Sequence, residues 1–472
     1  MIRRTAIALF GIWLVGMVPL HAAELQAGVA VVDITPPIGY RMAGYFSERF
    51  NTGTHDPLQA KALVLRQGHE QAALVFCDLL GISRQISERA RQLAAEKTGI
   101  PAANLLIAAT HSHTGPLYMG ALRQYFHDRA VADKGADPHE KIDYPAVLAA
   151  KIAEAIGKAA NSARPVVLSA GMARQEGLAF NRRFHMKDGT VQFNPGKLNP
   201  NIVRPAGPID PDVGLLRFRA GDKELALLTV FAMHLDTVGG TEYSADYPFY
   251  LERKLRSFLG AEGVSLFGTG TCGDINHIDV SKKDPQKGQL EAGRIGAVLG
   301  ATVQEALPKL RPQRSPRLAV RRTIVQAPLQ KYSTEAIAQA RKDMAKIGTR
   351  QLPFLKQVEA YKIMSLQMLP SQTLPMEVQV FRLSEDVAIV GLPGEIFVEL
   401  GLAIKKASPF PVTLVIELCN DAPGYVPTIK AFKEGSYETV NSRVQPGGGE
   451  KLVEAAIQLL KELATSQSSS SP

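Results

Sequence analysis

Three times along this chain a short apolar run, a helix-spaced segment and a second apolar run follow one another. This recurrence constrains the fold more than any single residue. The first set is Ala72 to Phe76, then Ser83 to Lys97 with Ile86, Ala90, Leu93 and Ala94 on one face, then Asn104 to Ala109. The second is Leu225 to Ala232, Tyr250 to Leu259 and Val264 to Phe267. The third is Val387 to Gly391, Ile396 to Lys406 and Pro411 to Leu418. Short apolar runs suit buried strands, and apolar positions three and four apart suit an amphipathic helix. Strand, helix, strand in that order implies a parallel pair joined by a crossover. The predicted fold class is α/β: a mixed, largely parallel sheet with flanking helices. In open α/β sheets chemistry gathers just beyond the carboxyl ends of strands, so the active site is expected there.

Four predicted strand ends carry reactive side chains. One runs into Thr110-His111-Ser112-His113-Thr114-Gly115-Pro116 and another into Met233-His234. A third enters Gly270-Thr271-Cys272-Gly273-Asp274-Ile275-Asn276-His277, and a fourth Leu392-Pro393-Gly394-Glu395. Catalytic zinc takes about three protein ligands from His and carboxylate and keeps a position open for water. His111, His234 and Glu395 would suffice. Each also has a plainer reading. A histidine after a strand is often a hydrogen-bonded structural residue, and a Glu after Pro-Gly is often a helix N-terminal charge favoured by the dipole. Spacing alone leaves the two readings level.

The local sequences separate them. Asp33-Ile34-Thr35-Pro36, Met42-Ala43-Gly44-Tyr45 and His55-Asp56-Pro57-Leu58 precede the His111 motif. Phe231-Ala232-Met233-His234, Cys272-Gly273-Asp274, Leu392-Pro393-Gly394-Glu395 and Gly424-Tyr425-Val426 follow it in order. In these stretches the chain resembles the neutral/alkaline (non-lysosomal) ceramidase family in its catalytic N-terminal domain, over roughly Gly28 to Tyr437. The resemblance implies a zinc-dependent amidohydrolase that cleaves N-acylsphingosine with zinc-activated water. It implies His111, His234, Glu395 and Tyr425 as metal ligands. It places His113 beside the reacting carbonyl and makes Tyr437 a donor to the developing oxyanion. Arg182 matches the family's site arginine, with Arg183 as the alternative.

The resemblance fails at two points. The family reads Gly-Asp-Val-Ser-Pro-Asn where this chain has Gly273-Asp274-Ile275-Asn276-His277-Ile278. Its substrate-bonding serine thus falls on Asn276, which still donates and accepts. His277 replaces a proline; it and Asp279 either line the pocket or form a structural bond, and Asp274 is expected to orient a ligand or loop. The family's C-terminal β-sandwich is also expected to be missing, since little sequence follows the predicted helix Leu452 to Leu463. The predicted substrate is therefore a small molecule or lipid. Both departures favour a polar, short-acyl compound over long-chain ceramide. The alternatives are another N- or O-acylated glycan or lipid, and a non-catalytic binding protein on the same fold.

The remaining features bound the setting. Arg3 and Arg4, the apolar Ala6 to Val18 and small Ala22 and Ala23 read as a secretory signal peptide over residues 1–23. This predicts a secreted or periplasmic protein with one domain over 24–463 and a disordered polar tail over 464–472. The net charge of +9 is scattered without a dense basic run. That argues against a nucleic-acid partner but allows mild attraction to anionic membrane or polysaccharide surfaces. Three cysteines are too few for a disulfide framework and are expected as buried thiols.

Overall fold

The computed structural model describes residues 23–466. The predicted signal peptide, Ala23 apart, lies outside the described residues, as does the predicted tail beyond Ser466. All three predicted units form, with small shifts at their ends. Glu70–Cys77, the helix Arg84–Thr98 and Leu105–Ala109 make the first, with Ser83 capping the helix through its side chain. Lys223–Phe231, Tyr247–Leu259 and Val264–Thr269 make the second. Val387–Gly391, Val398–Ala407 and Val412–Ile416 make the third.

Each unit supplies one parallel pair, at the edge of its own sheet. The expectation of a largely parallel sheet is therefore corrected: the sheets are largely antiparallel. In the first, Glu70–Cys77 pairs parallel with Leu105–Ala109 but antiparallel with Gln59–Gln67, which pairs antiparallel with Gln26–Asp33. In the second, Lys223–Phe231 pairs parallel with Val264–Thr269 and antiparallel with Asp212–Ala220. In the third, Val387–Gly391 pairs parallel with Val412–Ile416 and antiparallel with Thr373–Ser384, beyond which lies Pro316–Pro328. The physical reason is the tight turn. Gln67 pairs with Glu70 across Gly68-His69, and Ala220 with Lys223 across Gly221-Asp222. Gly68 and Gly221 both sit at φ 59°, where a side chain would be strained. A two-residue hairpin can join only antiparallel neighbours.

The three sheets turn one face each onto a shared core that includes Phe76, Leu106, Leu228, Leu266, Phe381 and Ile416. Leu106, Leu228 and Ile416 expose no surface, and burying such a side chain contributes about 1.5–3 kcal/mol. On its outer face each sheet packs its own helices. Arg84–Thr98 and Tyr144–Asn161 cover the first, Tyr247–Leu259 and Gln289–Ala306 the second, and Val398–Ala407 and Gly448–Thr465 the third. A further apolar cluster joins Ala43 to helices Gly120–Lys134, Thr334–Met344 and Phe354–Gln367. Cys77, Cys272 and Cys419 are free and buried. Among the described residues no helix is long and apolar enough to cross a membrane.

Candidate metal centre

Two loop segments, one after each of two strands, bring the histidines together. Past Leu105–Ala109 and Lys223–Phe231, Ser112 and Leu235 form a parallel bridge. Residues flanking a bridged pair point to the same side, so His111 and His234 stand side by side, ring centroids 4.5 Å apart. Each ring is fixed through Nδ1: His111 donates to Leu80 O at 2.8 Å and His234 to Cys272 O at 2.8 Å. That sets the tautomer and leaves each Nε2 with a lone pair facing the site. His111 has φ 78°, uncommon for a side-chain-bearing residue. Its N–H to Leu79 O (2.9 Å) helps hold it there.

Glu395 comes from the third unit. Glu395-Ile396 pairs parallel with Tyr425-Val426, with Glu395 opposite Tyr425. The close approach needs glycine at 394: a side chain there would meet Gly424 O at 2.7 Å, and its φ is +86°. Glu395 Oε2 lies 3.4 Å from His111 Nε2 and 3.4 Å from His234 Nε2. All three atoms are buried without a hydrogen-bond partner. Ligand atoms about 2.0–2.1 Å from a tetrahedral metal are themselves about 3.3–3.4 Å apart. The donor set and its spacing therefore fit a zinc ion. Burial opposes charging Glu395, but His111 and His234 outweigh it and hold the carboxyl well below its ordinary range. Burial lowers His234 to about 4, so this imidazole is neutral, as a ligand must be.

The other predicted residues divide. His113 adds a third nitrogen to the two histidines, within 4.8 Å. Its Nδ1 donates to Gly44 O at 3.1 Å, and its buried Nε2 is unpartnered. Burial lowers its pKa to about 3. Arg182 donates to Tyr425 Oη at 3.1 Å, to Gly273 O at 2.8 Å and to Glu438 at 2.9 Å. Arg183 turns away to Glu438, Glu434 and Gly435 O. Tyr437 packs against Tyr425, Phe193 and Phe354, at centroid distances of 5.4, 4.6 and 5.5 Å. Asn276 is buried; its amide donates to Asn194 at 3.2 Å and its oxygen accepts from Ile278 N. His277 forms the structural bond. Its Nδ1 meets Asp236 at 3.0 Å and its Nε2 meets Gln286 O at 2.8 Å, so neither nitrogen is free for a substrate. Asp274 accepts from Val398 N at 2.9 Å at the start of the helix that follows Glu395.

Some residues escaped the sequence reading. Glu417, just past Val412–Ile416, is fully buried. It accepts from Ile396 N at 2.7 Å and from Cys272 N at 3.0 Å, bracketing the segments that hold Glu395 and orient His234. It lies inside the apolar run Pro411 to Leu418, with no neighbouring motif to mark it. Burial raises its pKa to about 8. The folded protein thus holds this proton up to pH values where the unfolded chain has lost it. The stabilisation is complete below the ordinary carboxyl pKa and disappears as pH rises through 8. In metal-free protein, wild-type Tm should fall relative to Glu417→Gln between about pH 5 and 9. Parallel Tm profiles would show that Glu417 does not titrate there.

A second group, His127, Asp137 and Glu140, could also bracket a cation. Arg41 already binds both of its carboxylates and Arg123 binds Glu140, so ion pairs fill that role. A groove of about 490 Å³ lies between Ala170–Arg174 and Thr302–Arg311 and shares no residue with the site.

Fold and site together define an α/β protein with a buried His-His-Glu cluster at the meeting of three mixed sheets. Residues 25–243 match the family model for neutral/alkaline non-lysosomal ceramidase, N-terminal. The resemblance carried by the motifs is thus shown over residues 25–243. Neutral ceramidase from Pseudomonas aeruginosa superposes with a TM-score of 0.70 at 18% identity, over 95% of this chain and 76% of that one. A structure described as ceramidase complexed with C2 gives 0.66 at 16% identity, over 95% and 77%. At these identities the superpositions establish the fold. No curated protein matches in sequence.

Proposed function

We propose that this protein is an exported zinc-dependent hydrolase that cleaves the amide of an N-acylated lipid such as N-acylsphingosine. One observation carries the reading: Glu395 Oε2 lies 3.4 Å, a tetrahedral edge, from both His111 Nε2 and His234 Nε2, and all three buried atoms lack a hydrogen-bond partner. Tyr425, paired with Glu395, is the proposed fourth ligand. Zinc there would polarise the scissile carbonyl and lower the pKa of water towards neutrality. The chain's own residues do the rest. Tyr437, half-buried and with a hydroxyl pKa raised by desolvation, keeps its proton and donates to the developing oxyanion. Arg182, held by Glu438 and Gly273, keeps positive charge on the same side. His113 is neutral with Nε2 free, so it can accept a proton and pass it to the leaving group. Export rests on the signal-peptide pattern of residues 1–23.

Sequence departures alone favoured a polar, short-acyl substrate. The aromatic group beside Tyr437 favours a lipid instead. Phe354 is 47% exposed and stacks on Tyr437, while Phe46 meets Phe354 at 5.8 Å and Phe193 flanks the other side. A buried methylene contributes about 0.8 kcal/mol, roughly fourfold in kcat/KM. Across N-acyl substrates of about two to twelve carbons, kcat/KM should rise steeply until the surface is covered. A flat or falling series would overturn the lipid reading in favour of an acylated polar substrate.

A further inference from the structure

The bridge that aligns His111 with His234 also aligns a second pair one step on. Ser112 and Leu235 pair in parallel, and His113 N donates to Leu235 O at 3.1 Å. His113 and Asp236 therefore stand beside each other on the face that carries His111 and His234. Asp236 had no part in the sequence reading and none in the mechanism above.

Its surroundings hold it as a carboxylate presented to the opening. Oδ1 pairs with His277 Nδ1 at 3.0 Å, and His277 Nε2 lies 2.8 Å from Gln286 O. A carbonyl can only accept, so Nε2 donates; a carboxylate likewise draws a proton to Nδ1. His277 is thus a doubly donating imidazolium, 3% exposed, that fixes Asp236 from behind. No protein donor among the described residues reaches the second oxygen of Asp236, and the side chain is 22% exposed.

We infer that Asp236 is a substrate-recognition residue whose free oxygen accepts a hydrogen bond from a hydroxyl or ammonium group on the leaving-group side. The side follows from its place next to His113, the proposed proton carrier, so the inference rests on the hydrolase reading. The substrate then joins an acyl chain on the aromatic side to a donor-bearing amine on the Asp236 side.

N-octanoyl ethanolamine and N-octanoyl propylamine differ by a hydroxyl in place of a methyl and provide the test. Wild-type protein should favour the ethanolamide by about tenfold or more in kcat/KM, the usual discrimination of a charged acceptor for its donor. Asp236→Ala should bring that ratio near one. Asp236→Asn keeps the shape and a partner for His277, and should give an intermediate ratio. Both variants should hold zinc as wild type does. An unchanged ratio in both variants overturns the inference while leaving the hydrolase reading intact, and zinc loss in Asp236→Asn overturns it by making Asp236 a ligand. If wild type cleaves neither amide, the hydrolase reading falls. Calorimetric binding of N-octanoyl ethanolamine then decides, since equal affinity in wild type and Asp236→Asn overturns the inference as well.

Discussion

Replacing His111 or His234 by alanine is expected to strip the zinc from a protein that remains folded. Each histidine supplies one of three atoms that converge without another partner, so losing either leaves two protein donors and Tyr425. Loss of a residue that merely orients a ligand typically costs 10–100-fold in metal affinity. Loss of a ligand itself should exceed that, enough to empty the site on dialysis. The fold should survive because the central core is built from sheet faces rather than from the metal. A structural zinc would behave differently, since its binding energy is folding energy. Elemental analysis with a thermal melt separates the cases, and full zinc in both variants would end the assignment.

Tyr437→Phe and His113→Ala should do the opposite: keep the zinc and lose activity. An oxyanion donor is worth about 10²–10³ in kcat. Phenylalanine at 437 keeps the contacts with Phe193, Phe354 and Tyr425 and removes only the hydroxyl. For His113, the lost group is the unpartnered Nε2 beside the metal ligands. The decisive measurement is turnover at fixed zinc occupancy. Near wild-type turnover in Tyr437→Phe would make that tyrosine structural and move the oxyanion role to Arg182.

Much of this protein is legible because the signals are local. Helical spacing in Ser83 to Lys97 and the uniform apolar character of Asn104 to Ala109 follow from burial of one helix face and of both strand faces. Each unit therefore declares itself within about forty residues. The ligand-bearing ends are equally plain, since His111, His234 and Glu395 stand directly after such runs in recognisable motifs. Strand direction is less visible, because it depends on which neighbour a strand pairs with. Gly68-His69 and Gly221-Asp222 carried the hairpin signal, yet the stronger pattern of the parallel units masked it.

What only the tertiary structure decided concerns residues whose meaning comes from partners far away in the chain. Glu417 stands next to Leu418 with nothing in its neighbourhood to mark it. Its role appears only when Cys272 and Ile396 bring their N–H groups to one buried carboxyl. Asp236 reads as a loop carboxylate until the Ser112–Leu235 bridge turns it to the face of His113 and His277 closes behind it. Arg182 and Arg183 are adjacent and chemically identical; the alternation of backbone direction sends one to Tyr425 and the other to Glu434. Sequence determined which side chains could hold a metal, because ligand chemistry belongs to the residue. Tertiary structure decided which groups face the His111–His234–Glu395 cluster and which stand behind it, because burial and hydrogen-bond partners are set by where the chain returns.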